Sequence, residues 1–272
     1  MDTGVKKIYL LDYGWLAGDM GFFIPDPATW TEKLQNRMRL PEWVEIPVTG
    51  AVIEHKDGIV LIDTGSNPEA QKVWGATWEV FPMVKYSDEN RVENQLKLIG
   101  LKPEDVNFVV FTHLHLDHAG GAYIFAPLKT PLITHKKELV YALYMIWLGK
   151  VGAYQPVDLE PLRGASWYPF DGESLELLPG IDLILVGGHT PGSIIIRVVT
   201  NTGNTYIFTG DFIHLPQELE REAKGWLLGN ADEYLTSLRK LKMLAKRPNT
   251  YLVISHDPKL WEKYPKAPKA LE

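Results

Sequence analysis

The chain has 272 residues, with 28 Lys and Arg against 34 Asp and Glu, a formal charge of −6. Hydrophobic residues make up 45% of it and charged residues 23%, so a packed core is expected and general disorder is not. Mild acidity argues against nucleic acid as a partner, because phosphate binding needs clustered Lys and Arg. The absence of cysteine excludes disulfides, Cys-ligated zinc, iron–sulfur clusters and thiol catalysis.

The opening text MDTGVKKIYLLDYGWLAG holds only a short apolar run before Asp12, too little for a signal peptide. No stretch approaches the ~20 apolar residues of a membrane span, so a cytoplasmic protein is expected. Residues 7–12 read as a strand. Residues 13–45 read as a long loop rich in apolar side chains, among them Met20, Phe22 and Phe23, and loops of that length usually carry a function. Val48 to His55 and Ile59 to Asp63 flank a Lys56-Asp57-Gly58 turn, a strong hairpin signal. Residues 68–85 mix helix and loop and carry Trp74, Trp78 and Phe81. Asn90 to Ile99 reads as an amphipathic helix stopped by Gly100. Val106 to Thr112 is a buried strand and Pro131 to Thr134 a short one. Lys136 to Leu148 is a helix, apolar on most of its surface, with Tyr144 and Trp147. After an irregular stretch at 149–172, strands are expected at Ser174–Leu178, Ile181–Val186, Ile194–Val199 and Tyr206–Thr209. Asp232 to Ala245 is a helix with Asp232 as N-cap, and Tyr251–Ser255 is a final strand before a Lys/Pro-rich tail. No linker divides the chain. Each half contributes strands and then helices, so the expectation is one α/β domain over 1–272, two sheets face to face with helices outside.

Three of the eight histidines fall within six residues, in His113-Leu-His115-Leu-Asp117-His118. This cluster follows a buried strand, where alternate residues point one way. Imidazoles crowded there gain little from burial unless an ion binds them. Nitrogen and carboxylate ligands without thiolate suit zinc, and also Fe, Mn or Co. His189, Asp211 and His256 each follow a further predicted strand, in Gly-Gly-His-Thr-Pro-Gly, Thr-Gly-Asp and Ser-His-Asp.

HLHLDH, GHTPGS, GD and the late histidine, with LIDTG at 61–65, resemble the metallo-β-lactamase superfamily. The resemblance implies an αββα sandwich with two divalent metal ions at one edge. By residue match, His113, His115 and His189 would bind one ion. Asp117, His118 and His256 would bind the other, and Asp211 would bridge both. Asp63 would support the ligand loop without itself binding metal. Within the superfamily the chain is most similar to the quorum-quenching N-acyl-homoserine lactonases, through KIYLLDYG, VTGAVIEHKDGIVLIDTG, GHTPGSIIIRV and ISHDP. One position departs from that family. A tyrosine that contacts the substrate carbonyl is expected three residues after the bridging aspartate, and His214 stands there. It is a substitute donor, the mark of a changed substrate, or a loop histidine without a role.

The resemblance implies ring opening by a metal-bridging hydroxide, with Asp117 carrying the proton to the leaving oxygen. Met20, Phe22, Phe23, Trp74, Trp78 and Phe81 could hold an apolar acyl chain, with Tyr144 and Trp147 as further candidates. The same aromatics could instead pack the sandwich or a homodimer interface. The alternatives on such a site are another lactonase or esterase, a glyoxalase-II-like thioesterase or a phosphoester hydrolase. A ligand-binding sensor without turnover is the alternative of a different class.

Overall fold

Alternation along the strands sets the layers. In β1 (Val5–Asp19), Ile8 and Leu10 pack into one apolar cluster while Tyr9 and Leu11 pack into another. The same division recurs in β9 (Ile194–Val199), where Ile194, Ile196 and Val198 face one cluster and Ile195 faces the opposite side. The shared cluster is the seam between two sheets. The other two lie between each sheet and its covering helices. The result is the expected αββα sandwich, seen in a computed structural model that describes residues 2–24, 42–150, 152–225 and 228–271.

The remaining strands are β2 (Trp43–His55), β3 (Gly58–Ile62), β4 (Met83–Lys85), β5 (Phe108–Val110), β6 (Leu132–Ile133), β7 (Ser174–Leu178), β8 (Ile181–Leu185), β10 (Thr205–Phe208), β11 (Thr250–Val253) and β12 (Ala270–Leu271). One sheet has the order β12-β1-β2-β3-β5-β6, with β4 on β1, and the other has the order β11-β10-β9-β8-β7. β3, β5 and β6 run parallel, and so do β10 and β11. β8 lies antiparallel to β9, which lies antiparallel to β10, so β8, β10 and β11 all end at one edge. Strands that end together deliver their following loops to one place.

Several elements differ from expectation for identifiable reasons. β1 continues to Asp19, through residues expected as loop, because a register shift between Asp12 and Trp15 breaks the alternation. Positions 25–41 of the expected loop lie outside the described residues. The helix at Ala231–Ala245 is capped by Asn230, whose side chain accepts from the N–H groups of Asp232 and Glu233, and not by Asp232. In the 149–172 stretch a short helix forms at Pro156–Leu159. The tail holds another at Pro258–Lys263, capped by Asp257 with Pro at its start. No helix among the described residues is long and apolar enough to cross a membrane.

Asp158 ties the loop after β3 to the short helix Pro156–Leu159. It accepts hydrogen bonds from Asn67 Nδ2 at 2.7 Å and Trp74 Nε1 at 3.2 Å. Burial pushes its carboxyl up to about 7, against an ordinary 3.8. The folded state therefore holds a proton on Asp158 where the unfolded chain has lost it. The contribution of this group to stability must fall as pH rises from about 4 to about 7. Denaturant unfolding across that range should show a steeper loss in the parent than in Asp158→Asn, and equal slopes would remove Asp158 as the cause.

Candidate metal centre

Six of the eight histidines, at 113, 115, 118, 189, 214 and 256, converge at the edge where β5, β8, β10 and β11 end. The other two hold turns. His55 Nε2 bonds the carbonyl of Thr3 at 2.8 Å, and His135 caps the helix Lys136–Trp147 by accepting from Lys137 N–H.

Asp211 sits at the centre. Its Oδ2 lies 3.6 Å from His113 Nε2, 3.5 Å from His189 Nε2 and 3.1 Å from His214 Nε2. Its Oδ1 faces the other way, 3.0 Å from His118 Nε2 and 2.9 Å from His256 Nε2. Asp117 Oδ2 is 3.7 Å from His118 Nε2 and 3.5 Å from His256 Nε2. The side chains thus form two sets whose potential ligand atoms lie within 4.8 Å of one another: His113, His115, His189 and Asp211, and Asp117, His118 and His256. Gly210 makes the central position possible. It has φ +48, and a Cβ there would stand 2.7 Å from Thr112 Cβ.

The inner nitrogens are aimed by bonds to the outer ones. His118 Nδ1 lies 2.8 Å from Asp63 Oδ2, and His256 Nδ1 lies 2.7 Å from the Pro47 carbonyl. His113 Nδ1 is 3.2 Å from Thr112 Oγ1. Asp63 also accepts from Thr112 N–H and Thr112 O–H, each at 2.8 Å. It adopts φ 54 just beyond β3, a left-handed conformation that Asp tolerates better than most residues. These outer partners match the carboxylate or carbonyl that orients a metal-bound imidazole.

Burial drives the His113 and His189 rings well below their ordinary pKa, helped by neighbouring imidazoles, and takes His115 to about 3. Neutral imidazoles are the form that binds metal. Burial would also lower His118 and His256, but Asp211 and Asp117 outweigh it and raise both. Burial alone would raise Asp211, yet His118, His256 and His214 hold it well below the usual carboxylate range. His113 Nε2 and His118 Nε2 are buried and make no hydrogen bond among the described residues. Buried ring nitrogens with no hydrogen bond, turned toward one shared carboxylate, fit a pair of divalent ions.

An apolar pocket opens on this centre, walled by Leu16, Phe22, Phe23, Ile46, Phe81 and Leu116, with Asp117 and His214 on its floor. Met20 lines the adjoining cavity with Ile46 and Leu215. Trp74 is buried in the core, its indole on Asp158, and Trp78 packs beside it with ring centroids 6.5 Å apart. Tyr144 and Trp147 do not line the pocket. They are 56% and 89% exposed on the outer face of their helix.

Three residues escaped the sequence reading. Glu138, fully buried, bonds the loops that carry His113, His115 and His189. Glu218 and Lys224 form a buried ion pair at 3.3 Å behind His214. His214 Nδ1 lies 2.8 Å from Glu218 Oε1 and 2.9 Å from Lys224 Nζ. Lys224 also donates to the Asp211 carbonyl at 2.6 Å.

Elemental analysis of purified protein should find two ions per chain. Chelation should lower stability by binding linkage, by about 2.7 kcal/mol per ion for metal present at a hundred times its dissociation constant. His115→Ala should lose metal, and a variant retaining both ions would contradict the ligand set.

Known proteins place this geometry in context. The chain is 27% identical over 260 residues to an N-acyl homoserine lactonase of Bacillus thuringiensis, covering 93% of this chain and 94% of that one. It is 29% identical over 234 residues to the lactonase AttM of Rhizobium radiobacter, covering 83% and 87%. A solved N-acyl homoserine lactone hydrolase, with N-hexanoyl-L-homoserine at its catalytic metal centre, superposes with a TM-score of 0.81 at 24% identity over 100% of both chains. That structural likeness carries the fold. The family model for the metallo-beta-lactamase superfamily matches residues 44–256, from β2 to the final histidine of the centre, and the chain belongs to that superfamily.

Proposed function

We propose that this protein is a metal-dependent hydrolase that opens the lactone ring of N-acyl homoserine lactones, with two divalent ions, zinc by donor type, held around Asp211. The observation that carries the reading is Asp211 itself, whose two oxygens face two separate imidazole sets beneath an apolar pocket. The lactonase relatives supply the substrate class.

Ions held there supply an electrophile for the carbonyl oxygen and lower the pKa of a water toward neutrality. The chain's own residues do the rest. His113, His115 and His189 on one side and Asp117, His118 and His256 on the other would be the ligands, with Asp211 shared and Asp63 fixing His118. Asp117 borders the pocket, so its carboxylate is placed to take the proton of the attacking water. It returns that proton to the ring oxygen as the C–O bond breaks, giving the acyl homoserine. His214 turns Nε2 to the site. An imidazole there offers one N–H, as the family's tyrosine offers one O–H, when its Nδ1 accepts from Lys224.

Phe22, Phe23 and Phe81 are placed to cover an acyl chain and keep water from the reacting ester. Met20, Trp74 and Trp78 support those walls from the adjoining cavity and the core. We take the protein to be cytoplasmic and a homodimer. The exposed stripe Val140, Leu143, Tyr144 and Trp147 supports a second copy.

A pH-indicator screen of metal-loaded enzyme on lactones, thioesters, phosphoesters and β-lactams tests the reading. N-acyl homoserine lactones should be the best substrates, and higher kcat/KM on any other class would overturn it. Each buried methylene contributes about 0.8 kcal/mol, so kcat/KM should rise with acyl length by roughly fourfold per methylene until the groove ends. Phe22→Ala should flatten that rise. His214→Ala should lower turnover by roughly 10- to 1000-fold, as for one lost oxyanion donor, and His214→Tyr should retain much of it. Parent-like turnover in His214→Ala would leave it a loop histidine.

A further inference from the structure

Glu138 is a buried acid for which the chemistry above has no use. It lies in the first turn of the helix Lys136–Trp147 and is 0% exposed. A carboxylate is a costly choice for a core position unless it is fully bonded. Here it is bonded on every side, and every partner donates. Leu114 N–H and Tyr154 O–H donate to Oε1 at 2.9 and 2.8 Å, and Thr190 O–H donates to Oε2 at 2.5 Å. The N–H of Gly192 also bonds it. No lysine or arginine pairs with it among the described residues.

The identity of those partners gives the arrangement its meaning. Leu114 stands between His113 and His115. Thr190 and Gly192 belong to the loop of His189. Tyr154 sets its ring edge-on against His115, with centroids 4.5 Å apart. Gly192 presses so closely that a Cβ there would lie 2.1 Å from Glu138 N. One carboxylate thus joins the two loops, distant in sequence, that bring the three imidazoles of one metal set together. Ser193 completes the junction, with its Oγ 2.7 Å from Thr190 Oγ1.

We propose that Glu138 is a positioning residue of the metal centre, clamping the His113–His115 loop to the His189 loop so that three imidazoles are spaced for one ion before it arrives. The proposal rests on the metal-centre reading. It predicts that weakening the clamp harms one ion site and spares the other, since His118, His256 and Asp117 are aimed by Asp63 and Pro47 instead.

The test is Co(II) titration of the chelated protein against a competing chelator, followed by the visible absorption of the bound ion. In Glu138→Gln and in Thr190→Val, affinity at one of the two sites should fall 10- to 100-fold, the usual cost of losing an orienting partner. The other site should stay within about threefold of the parent, and Thr190→Ser, which restores the hydroxyl, should recover the parent affinity. Parent affinities at both sites in Glu138→Gln, or in a folded Thr190→Val if the Gln variant does not fold, would overturn the clamp. Equal loss at both sites, unrepaired by Thr190→Ser, would overturn it too. A parent that binds no Co(II) would instead overturn the metal-centre reading beneath it.

Discussion

A single buried carboxylate organises this molecule. Asp211 is buried among imidazoles that face it from both sides. An isolated charge in that position would be expensive. Its cost is met because both oxygens are engaged, each by a different set of histidines, and because two ions can share it. Every ligand loop must then arrive within a few ångströms of one point. The sandwich meets that demand by running β8, β10 and β11 in one direction in one sheet and β3 and β5 together in the other. The apolar seam between the sheets holds the two loop sets in register, so packing energy far from the site fixes distances within it.

Around this centre lies a ring of groups that hydrogen-bond its side chains and aim them. Asp63 turns His118, the Pro47 carbonyl turns His256, and Glu138 spans two loops. The buried Glu218–Lys224 pair stands behind His214. Where the lactonase family is expected to have a tyrosine, this chain has a histidine with its own charged support. A tyrosine needs no such support to present a hydroxyl. An imidazole does, because its partner at Nδ1 decides which nitrogen carries the proton.

The convergence of side chains that could hold metal was legible in the sequence because they sit in the text of the strand ends: three histidines in six residues after β5, and single polar residues after β8, β10 and β11. The layers were legible from alternation, and β1 was cut short only where a bulge breaks that alternation. The pocket was harder. Apolar periodicity in Lys136–Trp147 says that a face is greasy but not which way it points, and Tyr144 and Trp147 turned out to face solvent. Trp74 read as a pocket wall because nothing near it in sequence announces Asp158. Glu138, Glu218 and Lys224 were invisible for the same reason. A charged residue on a helix reads as surface, and only the fold shows that its partners lie on other loops.

If both ions, shared through Asp211, take part in the chemistry, titrating the chelated protein with zinc while following the opening of an N-acyl homoserine lactone reveals it. Turnover should stay low up to one equivalent of zinc per chain and rise to its full value between one and two. Full turnover at one equivalent, or turnover without metal, would rule out a shared two-ion centre.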